Sequence, residues 1–299
     1  MTRRPAVTLM EVLIAMFIMA IGMMALLALF PVGAVSMAQA LKDDRCAYAS
    51  LMAENVAIAT NVRYGDANVQ TALNASPSGL VYVDPYGVSL GNLGALGTNP
   101  GIPNPGIPRV SPLFVGSKTP SVPGSPPLID RWFSLPDDIT FNQSGTPDTS
   151  NTGGIIDRGR RYSWAYLLRR QPSVTSPLQS PMYAVQLFAV VYSGRPVNSL
   201  TLETTLPATG AVGTNSIVIN AIGTTIKRGG WILDSTTQNV VNGNGIGNFN
   251  FYRVTNLAEF NGTTTIELQQ NLSGPLPTSQ ITIMDYVAEV FDKGTGWQQ

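Results

Sequence analysis

Thirty consecutive residues, Val12 to Leu41, carry no charge, and Glu11 is the only charged residue between Val7 and Leu41. A bilayer core of about 30 Å is crossed by roughly 20 apolar helical residues. The run is therefore long enough to span, with turns to spare, and the expected membrane segment covers about residues 12–35. Ahead of it stand Arg3 and Arg4. Basic residues resist translocation, which orients residues 1–6 to the cytoplasm and everything beyond the helix to the outside.

The rest of the chain must suit that placement. Its 299 residues contain 18 Lys+Arg, 18 Asp+Glu, no histidine and one cysteine. Without imidazole there is no Ser-His-Asp or Cys-His chemistry and no His-ligated metal. A single thiol, Cys46, cannot close an intrachain disulfide. Low charge with 29 Gly and 22 Pro suits an extracytoplasmic β-rich protein. No catalytic residue, cofactor or metal site is expected.

A cleaved secretory signal would have a shorter apolar region and a cleavage site close behind it. The small-x-small triplet Ala38-Gln39-Ala40 lies too far from Arg4 for that. A plain signal anchor leaves Glu11 unexplained, because an acid within a span costs up to about 2.5–3.5 kcal/mol at the centre and less toward the interface. The segment Ala6-Val7-Thr8-Leu9-Met10-Glu11-Val12-Leu13-Ile14-Ala15 resembles the processing motif of type IV prepilins and pseudopilins, a small residue followed by Phe-Thr-Leu-Ile-Glu and an aliphatic run. The continuation Phe17 to Leu27 looks most like minor pilins of the V class and their type II secretion counterparts. The resemblance covers about the first sixty residues.

That resemblance implies cleavage between Ala6 and Val7 by a membrane-embedded prepilin peptidase, then N-methylation of Val7. It also implies an intersubunit ion pair between Glu11 and the α-amino group of a neighbouring subunit. Two opposite charges about 4 Å apart attract by about 4 kcal/mol at an effective dielectric near 20. Ala6 stands where the family has Gly, and Val7 where it has Phe. Implied partners are the peptidase, other pilin or pseudopilin subunits, an inner-membrane assembly platform and the bilayer; nucleic acid is not among them. The implied location is the inner membrane, single-pass, followed by a periplasmic or cell-surface filament. Losing residues 1–6 removes Arg3 and Arg4 and leaves 16 basic against 18 acidic residues. Gly22, Pro31 and Gly33 are expected to soften the helix and kink it near residues 31–33. The alternative is a signal-anchored adhesive β-module or enzyme that does not polymerise.

Beyond Leu41 the helix becomes amphipathic, with Ala49, Met52, Val56 and Ala59 on one stripe meant to pack under a sheet. Gly65 is a plausible stop, so the helix is expected over 7–64, and Cys46 reads as a small buried residue within it. Residues 65–197 read as a pilin-like β head. From Pro77 to Pro136 there are 12 prolines, among them the tandem Asn99-Pro100-Gly101-Ile102-Pro103 and Asn104-Pro105-Gly106-Ile107-Pro108. Such a stretch reads as a long surface loop with one short strand at Leu80 to Val83. Tyr162 to Leu168 and Met182 to Tyr192 read as two long strands, the second apolar enough to be covered on both faces. Five further strand signals between Ser216 and Phe291 predict a separate small barrel or sandwich over 198–292, followed by a tail at 293–299. The expected class is α+β.

Three constellations invite chemistry. Arg158, Arg160, Arg161, Arg169 and Arg170 around an aromatic strand have the composition of a single-stranded DNA platform. The preferred reading is a solvated edge paired to distant carboxylates. Asn242 to Asn248 has the look of a calcium loop but lacks any carboxylate, which favours a plain hairpin. Asp137, Asp138 and Asp285 are paired acids only if the fold unites them.

Overall fold

The computed structural model describes residues 9–76, 78–89, 93–98, 106–115, 129–149, 158–171, 184–196, 203–221, 223–239 and 245–296. The chain divides into two compact units, Met1–Ala47 and Tyr48–Gln299. The class is α+β, with a closed six-stranded barrel. One helix, α1 (Leu9–Ala59), runs through both units. Its 51 residues are continuous across Pro31. In the first unit every described side chain from Leu9 to Arg45 is exposed, while Cys46 is buried.

In the second unit the helix turns over a small-residue face. Ala49, Ala53 and Ala57 are fully buried, Met52 and Val56 are half-buried and Ala59 is exposed. The packing stripe is thus rotated from the one drawn through Met52 and Ala59. Alanine prevails because the sheet beneath supplies the bulk. Tyr166 Oη donates to the Ala53 carbonyl at 2.6 Å and accepts from Trp164 Nε1 at 3.1 Å. The helix ends at Ala59 with turns to Gly65, earlier than position 64. Arg63 then donates to the carbonyls of Val185, Gly294 and Lys293, fastening the helix exit to two strands.

Short helix α2 (Ala67–Ala75) is capped by Asp66, whose Oδ1 accepts from the amides of Asn68 and Val69 at 3.1 Å. Its Oδ2 accepts from the Leu113 amide at 2.6 Å, drawing the proline-rich stretch inward. Strand β1 (Leu80–Val83) lies where expected and is buried throughout. It is followed by α3 (Pro85–Ser89), β2 (Arg109–Val110) and α4 (Ile129–Phe133). The described parts of 77–136 correct the expectation of a surface loop. Leu96 and Ile107 are buried and exchange backbone hydrogen bonds, and Val115, Ile129, Phe133 and Leu135 are buried too. Apolar residues set between prolines anchor the segment, and proline lowers the entropy lost on pinning it.

Strands β3 (Tyr162–Gln171) and β4 (Ala184–Ser193) pair antiparallel along ten residues. Pleating divides their side chains. Trp164, Tyr166 and Leu168 share one face, the one from which Tyr166 reaches the helix. Ala165, Leu167, Val190 and Tyr192 join a core with Leu233, Phe249 and Met284 on the opposite side. Both faces of the sheet are covered, as the apolar run of β4 predicts.

The second covering layer is the barrel. It contains β5 (Glu203–Gly210), β6 (Ser216–Ile219), β7 (Trp231–Asp234), β10 (Phe251–Phe260), β11 (Thr263–Leu268) and β12 (Thr278–Met284). A ribbon of β8 (Thr237–Asn239) and β9 (Gly245–Gly247) projects between β7 and β10. The barrel order is β10-β11-β6-β5-β12-β7. Ile217, Ile232, Val254, Ile266, Leu268, Ile281 and Ile283 fill its interior. In β11, Ile266 and Leu268 point inward and Glu267 outward, as the alternation predicts.

Strand β13 (Val287–Gly296) corrects the domain boundary. It pairs with β4 in the first sheet, whose order is β13-β4-β3-β1-β2. The expected single strand Ile281–Phe291 is two strands broken at Asp285-Tyr286, where Tyr286 has φ 66°. The barrel is therefore an insertion between β4 and β13, and much of the presumed tail is sheet.

Candidate functional site

Among the described residues the longest exposed apolar feature is the first part of α1. It is the one helix among the described residues long and apolar enough to cross a membrane, and none of its most apolar window is buried. Glu11 lies in its first turn, where a carboxylate complements the positive end of the helix dipole. A Cβ added at Gly22 or Gly33 would meet nothing within 4 Å, so packing inside this chain does not require glycine at either place. Downstream of Pro31, Ser36 Oγ donates to the Val32 carbonyl at 2.9 Å and so needs no outside partner. Arg3, Arg4, Ala6 and Val7 lie outside the described residues.

The arginine edge is committed to its own fold. Arg160 forks onto Asp130, Nε to Oδ1 and Nη2 to Oδ2, each at 2.8 Å. Arg158 donates to the carbonyls of Asp130, Arg131 and Ser134, while Arg161 pairs with Asp138. Arg169 reaches Asn250, and Arg170 reaches Asn74. Arg160 and Arg161 meet carboxylates, as the reading of a charge-paired edge expects, whereas Arg158, Arg169 and Arg170 are taken up by backbone carbonyls and by the side chains of Asn250 and Asn74. Tyr86 Oη also donates to Asp130 at 2.7 Å, and burial together with that carboxylate pushes its phenol well up.

The acids fall to different partners. Asp138 serves Arg161, whereas Asp285 sits near Thr225 and Lys227 with its carboxyl raised chiefly by burial. No group of three or more His, Cys, Asp or Glu able to hold a metal occurs among the described residues. Part of the Asn242–Asn248 loop lies outside the described residues. Asn248 itself is buried, with Nδ2 donating to Asp234 at 2.8 Å, so it pins the base of the β8–β9 ribbon.

A buried charge network emerges that no motif announced. Arg195 forks onto Asp84 with both contacts at 2.7 Å. Arg109 bridges Asp84 and Glu203; the Arg109 and Asp84 side chains are nearly solvent-free, and that of Glu203 keeps 12% exposure. The guanidiniums of Arg109 and Arg195 stack over Tyr82 and Tyr192 at 5.2 and 4.4 Å from the ring centroids. The two phenols touch at 2.5 Å, and burial raises both. Burial opposes ionisation of Asp84, yet Arg195 and Arg109 hold its carboxyl down to about 2. Both guanidiniums are held charged against burial, first of all by Asp84. Each residue sits beside a proline or opens a strand, in Asp84-Pro85, Pro108-Arg109, Arg195-Pro196 and Glu203, so it looks like ordinary loop charge.

No protein-family model, no curated protein and no solved structure matches the chain. The geometry alone defines the class: an α+β protein with one helix capable of membrane insertion and a sheet capped by a filled barrel.

Proposed function

We propose that this chain is a minor pilin or pseudopilin, a non-enzymatic subunit that is processed at Ala6-Val7 and assembled through its N-terminal helix into a type IV pilus or a type II secretion pseudopilus. The observation that carries this reading is the exposed, uncharged stretch of α1 headed by one carboxylate, Glu11. In the filament this carboxylate faces the amino terminus of a neighbouring subunit, and that intersubunit ion pair gives an acid in an apolar span its role. Supporting it, the last turns of the helix are buried through the small residues Ala49, Ala53 and Ala57, and Tyr166 of the sheet donates to the Ala53 carbonyl. Arg3 and Arg4 hold the leader in the cytoplasm. Gly22, Pro31 and Gly33 loosen the helix during assembly, and an added Cβ at Gly22 or Gly33 would meet nothing within 4 Å among the described residues. The barrel belongs to the extracytoplasmic head.

Mass spectrometry of the protein purified from cells with an active prepilin peptidase tests it. The expected mature terminus is Val7 with one added methyl group. An intact Met1 terminus sinks the proposal and leaves a signal-anchored module. Glu11→Ala is expected to leave processing and insertion unchanged while abolishing incorporation into a filament.

A further inference from the structure

The barrel enters and leaves the sheet at neighbouring points, after β4 and before β13, and its wall meets the sheet mostly through apolar side chains. Leu233, Phe249 and Met284 lie against Leu167, Val190 and Tyr192. Apolar contact is non-directional, so it favours docking without fixing one orientation. The four charges behave differently. Asp84 and Arg109 belong to the sheet side, Glu203 opens the first barrel strand, and Arg195 stands on the connection between them. The set is neutral, with Asp84, Arg109 and Arg195 almost fully desolvated and Glu203 largely so. Any sliding of the barrel separates Arg109 from Glu203 and leaves an uncompensated buried charge. Among the described residues the other oxygen of Glu203, Oε1, is buried without a hydrogen-bond partner, so Arg109 is the contact that sliding would break. Arginine's planar fork makes the constraint angular as well as radial.

We infer that the Asp84–Arg109–Glu203–Arg195 network is an orientation lock that holds the barrel on the sheet in a single pose and makes the two open together as one cooperative unit. The inference does not depend on filament assembly. The arginine that spans the seam, Arg109, is the positioning residue of the lock.

Hydrogen exchange of the full chain in detergent micelles tests it. In the unaltered protein, the slowest amides of β7 and β12 and those of β3 and β4 are expected to share one opening free energy. Arg109→Met is expected to accelerate both sets together by about a hundredfold or more, the consequence of stranding a buried carboxylate. Arg109→Lys, which keeps the charge but loses the fork, is expected to accelerate both sets by a smaller common factor and keeps the test alive if the methionine variant does not fold. Arg109→Met combined with Glu203→Met removes a cation and an anion together. It is expected to recover most global protection while amides at the seam, Thr204 and Met284, stay faster than in the unaltered protein. The lock is refuted if barrel and sheet amides open with different free energies in the unaltered protein. It is also refuted if either single variant speeds one set and leaves the other at its original rate.

Discussion

Replacing Asp84 by Asn keeps the shape of the side chain and removes one of two anions from a site holding two guanidiniums. Arg195 then has no carboxylate, and Arg109 keeps Glu203 alone. Stripping one partner from a buried ion pair costs about 3–5 kcal/mol. Against a usual total of about 5–15 kcal/mol, that is a large share of the head's stability. The pH dependence makes the test specific. Asp84 titrates near 2 in the folded protein, below the ordinary carboxyl value of roughly 3.9. Such a group contributes stability that is fully present above its unfolded value and is lost as the pH falls through its folded one. At about 1.36 kcal/mol per pKa unit, the contribution is about 2–3 kcal/mol, disappearing between roughly pH 4 and pH 2. The assay is urea unfolding of the full chain in detergent, followed by tryptophan fluorescence from pH 7 to pH 2. All other carboxyls titrate in both proteins and cancel in the difference. The gap between the two proteins is expected to be widest at neutral pH and to narrow by about 2–3 kcal/mol over the acid window. Parallel curves, or a neutral-pH gap under about 1 kcal/mol, would refute the account of the network.

Three more substitutions probe the seat of the helix. Ala53→Leu forces three more carbons into a contact where a tyrosine hydroxyl already reaches the backbone, and a loss of about 1–3 kcal/mol in urea unfolding is expected, while Leu51→Ala on the exposed face stays within about 0.5 kcal/mol. Tyr166→Phe strands Trp164 Nε1 in a buried site and is expected to cost about 1–3 kcal/mol by the same measurement, with a changed tryptophan emission maximum in the folded state.

Periodic signals proved readable where one physical cause acts alone. The uncharged run yields the helix, the apolar run of β4 yields a strand covered on both faces, and alternation in β11 yields the barrel wall. Reading fails where burial depends on distant partners. Leu96 and Ile107 are separated by residues that suggest only turns, and their pairing is a tertiary event. The break at Asp285-Tyr286 was hidden because the left-handed position is filled by tyrosine in place of glycine. Met52 and Ala59 look as good a stripe as Ala53 and Ala57 until the aromatic bulk of β3 decides which side must be thin. The candidate assembly residues were legible as a motif, whereas Asp84, Arg109, Arg195 and Glu203 gave no local sign. A buried ion network is written in four places at once.

The return of β13 to the first sheet has a consequence for biosynthesis. Strand β4 receives its second neighbour only after roughly a hundred intervening residues have emerged and the barrel has been made. As the chain is delivered helix first, one long edge of the sheet stays open until the final strand arrives. Loss of β13 would therefore leave the barrel strands intact and strip β4 of one of its two neighbours, so the sheet beneath the barrel is closed only after the barrel itself.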